Sequence, residues 1–152
     1  MEDIIENKVV DLVTAATITE VSDYHPVNID TVMQDWDSME DYPAIIVTCA
    51  EVRMSGEQIG AKNQLYRVYI FVLVVAETKA EVAIQRRTIK DRIVSKFRTV
   101  YNLDRLTDND NNERVYDSAV EEVLFATEGY YGNYLGTARI YIPVHTEKLK
   151  PF

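Results

Sequence analysis

The stretch from Leu65 to Tyr101 constrains the fold most, because a strongly apolar segment runs directly into an amphipathic one. The first part, LYRVYIFVLVVA, is rich in β-branched and aromatic residues and is too short to cross a membrane as a helix. Thr78 and Glu81 then form a capping-box pattern, which is typical of a helix start. The apolar residues that follow at helical spacing are Val82, Ile89, Ile93, Phe97 and Val100. The sequence therefore predicts a buried strand over 65–76 followed by a helix over 79–101.

Four further elements are predicted from apolar periodicity. They are a helix over 2–16 and strands over 44–54, 115–126 and 136–146. The strand over 65–76 is apolar on both faces, so we expect it at the centre of the sheet and covered on each side. The order helix, strand, strand, helix, strand, strand predicts an α+β fold. We expect a four-stranded, mostly antiparallel sheet packed by the N-terminal helix and one long helix, with 1–152 forming a single domain.

The segment 20–43 breaks these patterns. Between Glu20 and Asp41 it holds seven acidic residues and neither lysine nor arginine. Such a length is unusual for a structureless connection, and Trp36 is unusual in a solvated tail. We therefore expect an acidic arm that docks on something, with a short helix inside 30–36 as the alternative.

The charge balance and the single cysteine exclude several classes of protein. The formal net charge is -9, from 25 acidic and 16 basic residues, which argues against a nucleic-acid-binding protein. Cys49 is the only cysteine, so an internal disulfide is excluded, and its apolar surroundings predict a small buried hydrophobe. The acidic start MEDIIEN does not resemble a signal or transit peptide, which predicts a protein used in a reducing cytosol.

Motifs for catalysis or metal binding are absent from the sequence. An EF-hand loop starting at Asp108 would need glycine and glutamate where this chain has Glu113 and Ala119. His25 and His145 have no neighbour at a metal-ligand spacing, and neither a nucleophile elbow nor a phosphate-binding loop occurs. We expect no cofactor, no metal and no enzymatic activity. A small enzyme acting through Asp108 and Asp110 is the weakest alternative.

The predicted long helix carries seven of the 16 positive residues. They are Lys79, Arg86, Arg87, Lys90, Arg92, Lys96 and Arg98. One interpretation is a solvated helix face. Another is an interface with the acidic segment of the same or a neighbouring chain, as in a self-assembling ring. A third is DNA binding by these residues, which the overall acidity disfavours. The predicted interface residues are Ile84, Arg86, Arg87, Lys90, Arg98, Asp35, Trp36 and Asp37.

A second candidate surface is the predicted loop over 127–136, in which three tyrosines lie among three glycines. Tyr130, Tyr131 and Tyr134 either cap one end of the core or dock another protein. The sequence leaves both interpretations open.

The order of these elements resembles the tail terminator proteins of long-tailed bacteriophages. The resemblance covers a helix, an acidic arm, a strand beginning YPAIIV, a long loop, an apolar strand, a long amphipathic helix and a closing hairpin that ends RIYIPV. It implies a homo-oligomeric ring, a hexamer in that family, which stops tail-tube growth and meets the tail-tube and head-tail connector proteins. It implies DNA only as passing cargo, a place in the virion neck after assembly in the host cytoplasm, and no membrane.

By this resemblance the loop 55–64 would contact a partner at one face of the ring. The predicted docking residues are Met54, Glu57, Gln58, Ile59, Lys62, Tyr130, Tyr131 and Tyr134. The alternative function is a non-enzymatic adaptor module of a cellular or other neck assembly.

Overall fold

The computed structural model describes residues 1–17, 23–26, 42–52 and 63–148. The two long helices of the described residues are α1, Glu2–Thr17, and α2, Lys79–Thr99. A single short turn with positive φ, Asn102–Arg105, follows α2. Both predicted helices are confirmed to within two residues at each end. The predicted cap is present as well, since the backbone N–H of Glu81 donates to Thr78 Oγ1 at 3.2 Å.

Seven strands form one sheet. They are β1, Asp23–Pro26; β2, Ala44–Val52; β3, Asn63–Ala76; β4, Thr107–Asp108; β5, Glu113–Ser118; β6, Glu122–Tyr130; and β7, Asn133–Lys148. The order across the sheet is β1-β2-β3-β7-β5-β4, and β6 pairs with β7 beside β5. β1 runs parallel to β2, and the other pairs are antiparallel.

The α+β class is confirmed, but the strand count of four and the simple strand order are wrong. The predicted strand over 115–126 is two strands, β5 and β6, which lie end to end along the 16-residue β7. The register with β7 shifts between Val115 and Asp117, and pairing stops after Ser118 until Glu122. On its other side β7 pairs with β3 over 14 residues without a break, so the interruption belongs to the segment 115–122 and not to β7.

The predicted loop over 127–136 is also wrong, because these residues form a β-hairpin. β6 and β7 pair from Glu122–Tyr141 to Tyr130–Asn133, and only Tyr131 and Gly132 lie in the turn. Both have positive φ, 45° and 83°, as a two-residue hairpin turn of this hand requires. A tyrosine at the first turn position is not the usual Asn-Gly or Asp-Gly signal, which is why the pattern indicated a loop.

One face of the sheet carries both helices and most of the core. The buried residues of β3 on this face are Tyr66, Val68, Ile70, Val72 and Val74, and the four aliphatic ones are 0% exposed. Ile5, Val9, Leu12 and Val13 of α1 lie in the same core cluster. Of the predicted apolar residues of α2, Val82, Ile89, Ile93 and Phe97 are buried. The predicted central position of β3, between β2 and β7, is confirmed.

The opposite face of β3 is only partly covered, so the prediction of cover on each side is wrong. Leu73 is buried there in a small cluster with Ala44, Ile46 and Leu135, whereas Tyr69, Phe71 and Val75 are half-buried. The ring of Tyr69 stacks on that of Tyr141 with centroids 5.0 Å apart. Phe71 packs against the small cluster, and the guanidinium of Arg139 lies 5.3 Å from the centroid of the Tyr69 ring.

Cys49 is buried, as predicted, and is a free thiol. Burial is the main cause that raises the pKa of its thiol far above the ordinary value. The thiolate needed for reactivity is therefore disfavoured at neutral pH.

Gly136 in β7 allows α2 to approach the sheet closely. A Cβ atom at this position would lie 2.0 Å from Cγ1 of Val82, which is 0% exposed in the core. The close approach brings α2 over the start of β7, and it places Arg86 beside the hairpin.

We expect Gly136→Ala to lower the free energy of unfolding by about 1–3 kcal/mol, because the added methyl group overlaps a buried side chain. Gly129→Ala is the matched control, since a Cβ atom there meets nothing within 4 Å. Urea unfolding of both variants measures the effect. Equal unfolding midpoints would show that α2 does not depend on this contact.

Candidate assembly surfaces

The predicted interface residues on α2 divide between two sides of the helix. Val82, Ile89, Ile93 and Phe97 face the core, so helical spacing places Ile84, Arg87 and Arg98 on the opposite, outer face. Ile84 is 65% exposed, and both arginines are exposed and make no ion pair with the described part of the chain. We call these three residues the α2 outer face.

Arg86 and Lys90 are instead turned toward β6, so the structure does not bring them to the outer face. Arg86 Nη1 donates to Ala126 O at 2.7 Å and to Thr127 Oγ1 at 3.0 Å. The Arg86 guanidinium lies 4.9 Å from the centroid of the Phe125 ring. Burial lowers the pKa of Arg86 from its ordinary value. These contacts join α2 to the hairpin within one chain.

Lys90 contributes to the same contact. Its Nζ lies 5.9 Å from the centroid of Phe125 and forms an ion pair with Asp91 of α2. Two cations therefore stand over one ring that is still 52% exposed. Phe125 thus provides an apolar surface beside the hairpin that the intramolecular contacts cover only in part.

The outer edge of β6 is an open edge of the sheet. Among the described strands β6 pairs only with β7, in regular register over all nine residues, and seven of its nine residues are exposed. Leu124 is 45% exposed on the helix-free side, and Phe125 is exposed on the helix side. Glu122 and Glu128 lie near its ends and have no described ion pair. Long edge strands with exposed apolar residues are sites at which another chain binds.

The three predicted docking tyrosines have different environments. Tyr130 is half-buried, with its ring 6.0 Å from that of Tyr42. Tyr134 is half-buried beneath Lys79, whose Nζ lies 5.5 Å from the ring centroid. Tyr131, at the hairpin turn, is 88% exposed. Of the two interpretations, capping fits Tyr130 and Tyr134. The ring of Tyr131 packs edge-on against that of Tyr130, with centroids 4.8 Å apart, and most of its surface stays exposed.

A groove of about 660 Å³ lies between the C-terminal half of α2 and the connection from β5 to β6. Its lining includes Arg98, Phe97, Val120 and Ser118. The hydroxyl of Ser118 is buried and has no hydrogen-bond partner in the structure. The groove adjoins both the α2 outer face and the first residue of β6.

The carboxylates that an enzyme would use are engaged in structural contacts. Asp108 accepts hydrogen bonds from the backbone N–H of Asp110 at 3.1 Å and from Asn111 Nδ2 at 2.7 Å. The side-chain hydrogen bond from Asn111 is the main cause that lowers the pKa of Asp108. Asp108 therefore closes the turn before β5, and Asp110 is exposed beside it.

The carboxylate of Glu113 is also buried. It accepts hydrogen bonds from the hydroxyls of Thr146, at 2.9 Å, and Tyr66, at 3.3 Å. Burial first, and then the charge of Glu113, raise the pKa of Tyr66. This arrangement satisfies a buried charge with two donors, as a buried carboxylate requires. Across the described ranges, no group of three or more histidine, cysteine or acidic residues could hold a metal ion.

The remaining predicted site residues lie outside the described residues. They are Asp35, Trp36 and Asp37 of the acidic segment, and Met54, Glu57, Gln58, Ile59 and Lys62 of the loop before β3. Their assignment to a subunit interface or a docking surface stays a prediction.

Sequence reasoning missed Leu124 and Phe125 as surface residues. Adjacent residues of a strand point to opposite faces, so two neighbouring apolar residues cannot both face a core that lies on one side of the sheet. That signal was present in the sequence. It could be used only with the knowledge that both helices lie on the same face.

None of the helices in the described ranges is long and apolar enough to cross a membrane.

Comparison with known proteins gives a similarity of fold. No protein-family model matches the sequence, and no curated protein matches it. Among solved structures, a chain in the virion of a native gene transfer agent (GTA) particle superimposes with a TM-score of 0.51. The match covers 93% of this chain and 94% of that chain at 11% sequence identity. Almost the whole chain therefore shares its architecture with one complete chain of that virion structure.

Arg86→Ala should lower the free energy of unfolding by about 1–2 kcal/mol, because hydrogen bonds to a charged group and the contact with Phe125 are lost. Arg87→Ala, one position along the same helix, should change it by less than about 0.5 kcal/mol, because Arg87 has no described partner. Urea unfolding compares the two variants. If both variants lowered the free energy of unfolding by similarly small amounts, the contacts of Arg86 with β6 would not stabilise the fold.

Asp108→Asn should weaken the fold at neutral pH and have less effect in acid. The folded-state pKa of Asp108 is lowered, so its charged form stabilises the fold above the unfolded pKa of about 3.9. This contribution is lost as the pH falls through the folded-state pKa. Urea midpoints of the two proteins should therefore converge at low pH. If the difference between the two urea midpoints stayed constant with pH, the charge of Asp108 would not be the cause of that difference.

Proposed function

We propose that this chain is a structural, non-enzymatic protein of a phage-like virion, and that it forms a ring at the head-proximal end of the tail. In this proposal the ring ends tail-tube growth and joins the tail to the head connector. The observation that carries the proposal is the similarity of fold, over nearly the full length of both chains, to a chain of a gene transfer agent virion.

The surfaces of the molecule support a role in assembly. A protein that works alone does not usually expose a long unpaired strand edge with two large apolar residues. β6 exposes such an edge, and the α2 outer face adds an exposed isoleucine, Ile84, one turn before the unpaired Arg87. The buried carboxylates are satisfied by structural hydrogen bonds, so no described group is arranged as an activated nucleophile or base.

The contacts proposed for this ring follow the two sets of predicted residues. Ile84, Arg87 and Arg98 remain candidates for the contact between subunits, together with Asp35, Trp36 and Asp37. Tyr131, with the loop before β3, is the candidate for docking on the tail-tube or connector protein. Arg86 and Lys90 act within the subunit, where they support the hairpin that presents Tyr131. DNA would pass through the central channel without specific binding, since the net charge of -9 disfavours adhesion.

Molar mass in solution tests the ring. Multi-angle light scattering should give a discrete closed oligomer, for a hexamer six times the 17.5 kDa of one chain. Negative-stain electron microscopy should then show rings with a central opening. A strictly monomeric protein at high concentration, and in the presence of the matching tail-tube protein, would contradict the proposal.

A further inference from the structure

We propose that the outer edge of β6 binds an extended segment of another protein, which adds to the sheet as an antiparallel strand and carries a lysine or arginine opposite Glu128. Antiparallel addition is the commoner arrangement in sheets. One copy of the chain is enough for this contact, so it goes beyond the proposed ring and does not depend on it. The contact names both the surface that a partner would use and the chemistry of that partner.

The contacts of Arg86 show which backbone groups of β6 point outward. Its Nη1 lies 2.7 Å from Ala126 O and 3.5 Å from Thr137 O, and Ala126 and Thr137 are register partners. Both carbonyls therefore point into the gap between β6 and β7. Since backbone groups alternate in direction along an antiparallel pair, the residues between them turn both N–H and C=O away from β7. The residues with outward-pointing backbone groups are Val123, Phe125, Thr127 and Gly129.

These outward-pointing groups are open to a partner. None of the four residues makes a backbone hydrogen bond outside the β6–β7 pair within the described ranges. A Cβ atom added to Gly129 would meet nothing within 4 Å, so the space beside this end of β6 is open as well. Donors and acceptors at alternate positions are what a further strand needs for main-chain pairing at a sheet edge.

β6 also presents apolar surface on both sides of the sheet. Leu124 is exposed on the helix-free side, and Phe125 is exposed on the helix side, where Arg86 and Lys90 cover its ring only in part. Directly opposite residues of paired strands lie about 4.5–5.5 Å apart at Cβ. The alternating side chains of an added strand would therefore cover both residues. The exposed ring of Tyr131 lies at the end of the same edge.

The charges of β6 argue against a second copy of β6 as the added strand. Glu122 and Glu128 are exposed and have no ion pair with the described part of the chain. When two β6 strands pair antiparallel through their outer edges, every register that joins most of the strand places two glutamates directly opposite or diagonal to each other. Like charges at such positions destabilise a sheet, and charged residues on an edge strand protect it from self-pairing.

A positively charged segment gains from the same residues. Glu122 borders the groove that Lys90 and Arg98 also line, so its charge is balanced in part within the chain. Glu128 has no such cation among the described residues around it, and it lies across from Leu135 in β7. A lysine or arginine opposite Glu128 would therefore give this carboxylate its ion pair. Such complementarity selects the partner and fixes its register.

Two capped synthetic peptides test the charge preference. Each matches β6 in length and alternates valine and threonine, with lysine in one peptide and glutamate in the other at the third position, which antiparallel pairing places opposite Glu128. The lysine peptide should bind the wild-type protein roughly 10-fold or more tightly than the glutamate peptide. Glu128→Lys should reverse the preference. Fluorescence anisotropy of labelled peptides measures both affinities.

Hydrogen exchange of the backbone amides locates the bound peptide. In the free protein the outward-pointing amides of Phe125 and Thr127 should exchange fast, and that of Ala126, which points to β7, should exchange slowly. Bound lysine peptide should protect the outward-pointing amides and leave Ala126 unchanged. This measurement separates addition to the edge from binding elsewhere on the surface.

A proline variant tests the role of the backbone. Thr127→Pro removes one outward-pointing N–H and leaves the bonds to β7 in place, because an edge strand tolerates proline where its N–H faces solvent. Thr127→Val is the matched control, since it also loses the hydroxyl that accepts from Arg86 but keeps the N–H. Thr127→Pro should weaken binding by roughly 10-fold or more, and Thr127→Val should retain it. Urea unfolding shows whether both are folded, and Glu128→Lys keeps the test decisive if the proline variant is not.

The remaining outcomes are also distinct. Failure of the lysine peptide to bind, equal affinity for both peptides, or binding without protection of the outward-pointing amides overturns the inference and leaves the ring standing. Outward-pointing amides that are already protected in the free wild-type protein would show that a second copy covers the edge, which overturns it as well. A strictly monomeric protein that binds the lysine peptide as described contradicts the proposed ring and supports the inference.

Discussion

The pairing of β3 between β2 and β7 is the interaction on which the rest of the structure depends. β3 pairs with β7 along its whole length and with β2 from Leu65 to Leu73, and its alternate residues from Val68 to Val74 are fully buried. Because side chains alternate across a strand, this one set of residues faces both helices. The positions of α1 and α2, and therefore of every surface they carry, follow from that face.

The asymmetry of the sheet explains where the assembly surfaces lie. Both helices cover one face, and the other is left to half-buried aromatic residues such as Tyr69 and Tyr141. β5 and β6 both pair with β7 on the side away from β3, and β6 continues to the exposed hairpin turn. Arg86 of α2 donates a hydrogen bond to Ala126 O of β6. The hairpin is therefore attached to α2 within the chain and is not an independent loop. The close packing of α2 over Gly136 makes that contact possible.

Much of the scaffold was predictable because it depends on local signals. The capping box at Thr78 and the apolar stripe of α2 specify a helix by hydrogen bonding and by spacing, and neither requires a distant partner. The hairpin was missed because Tyr131 and Gly132 do not carry the usual turn signal. The break between β5 and β6 was missed for a different reason. It depends on which residues pair with β7, a strand that lies further along the sequence.

The candidate surfaces were predicted only in part. The sequence singled out the positive charges of α2, but a charge pattern does not say which residues are used inside the molecule. Arg86 and Arg87 are neighbours of the same type, and only the packing of β6 against α2 engages the first and leaves the second free.

By itself the sequence determined an α+β chain with a central apolar strand, two amphipathic helices and an acidic surface, because periodicity and composition are local properties. The tertiary structure decided which face stays open, which strand forms the edge and which arginine is free, because these depend on contacts between residues far apart in the chain.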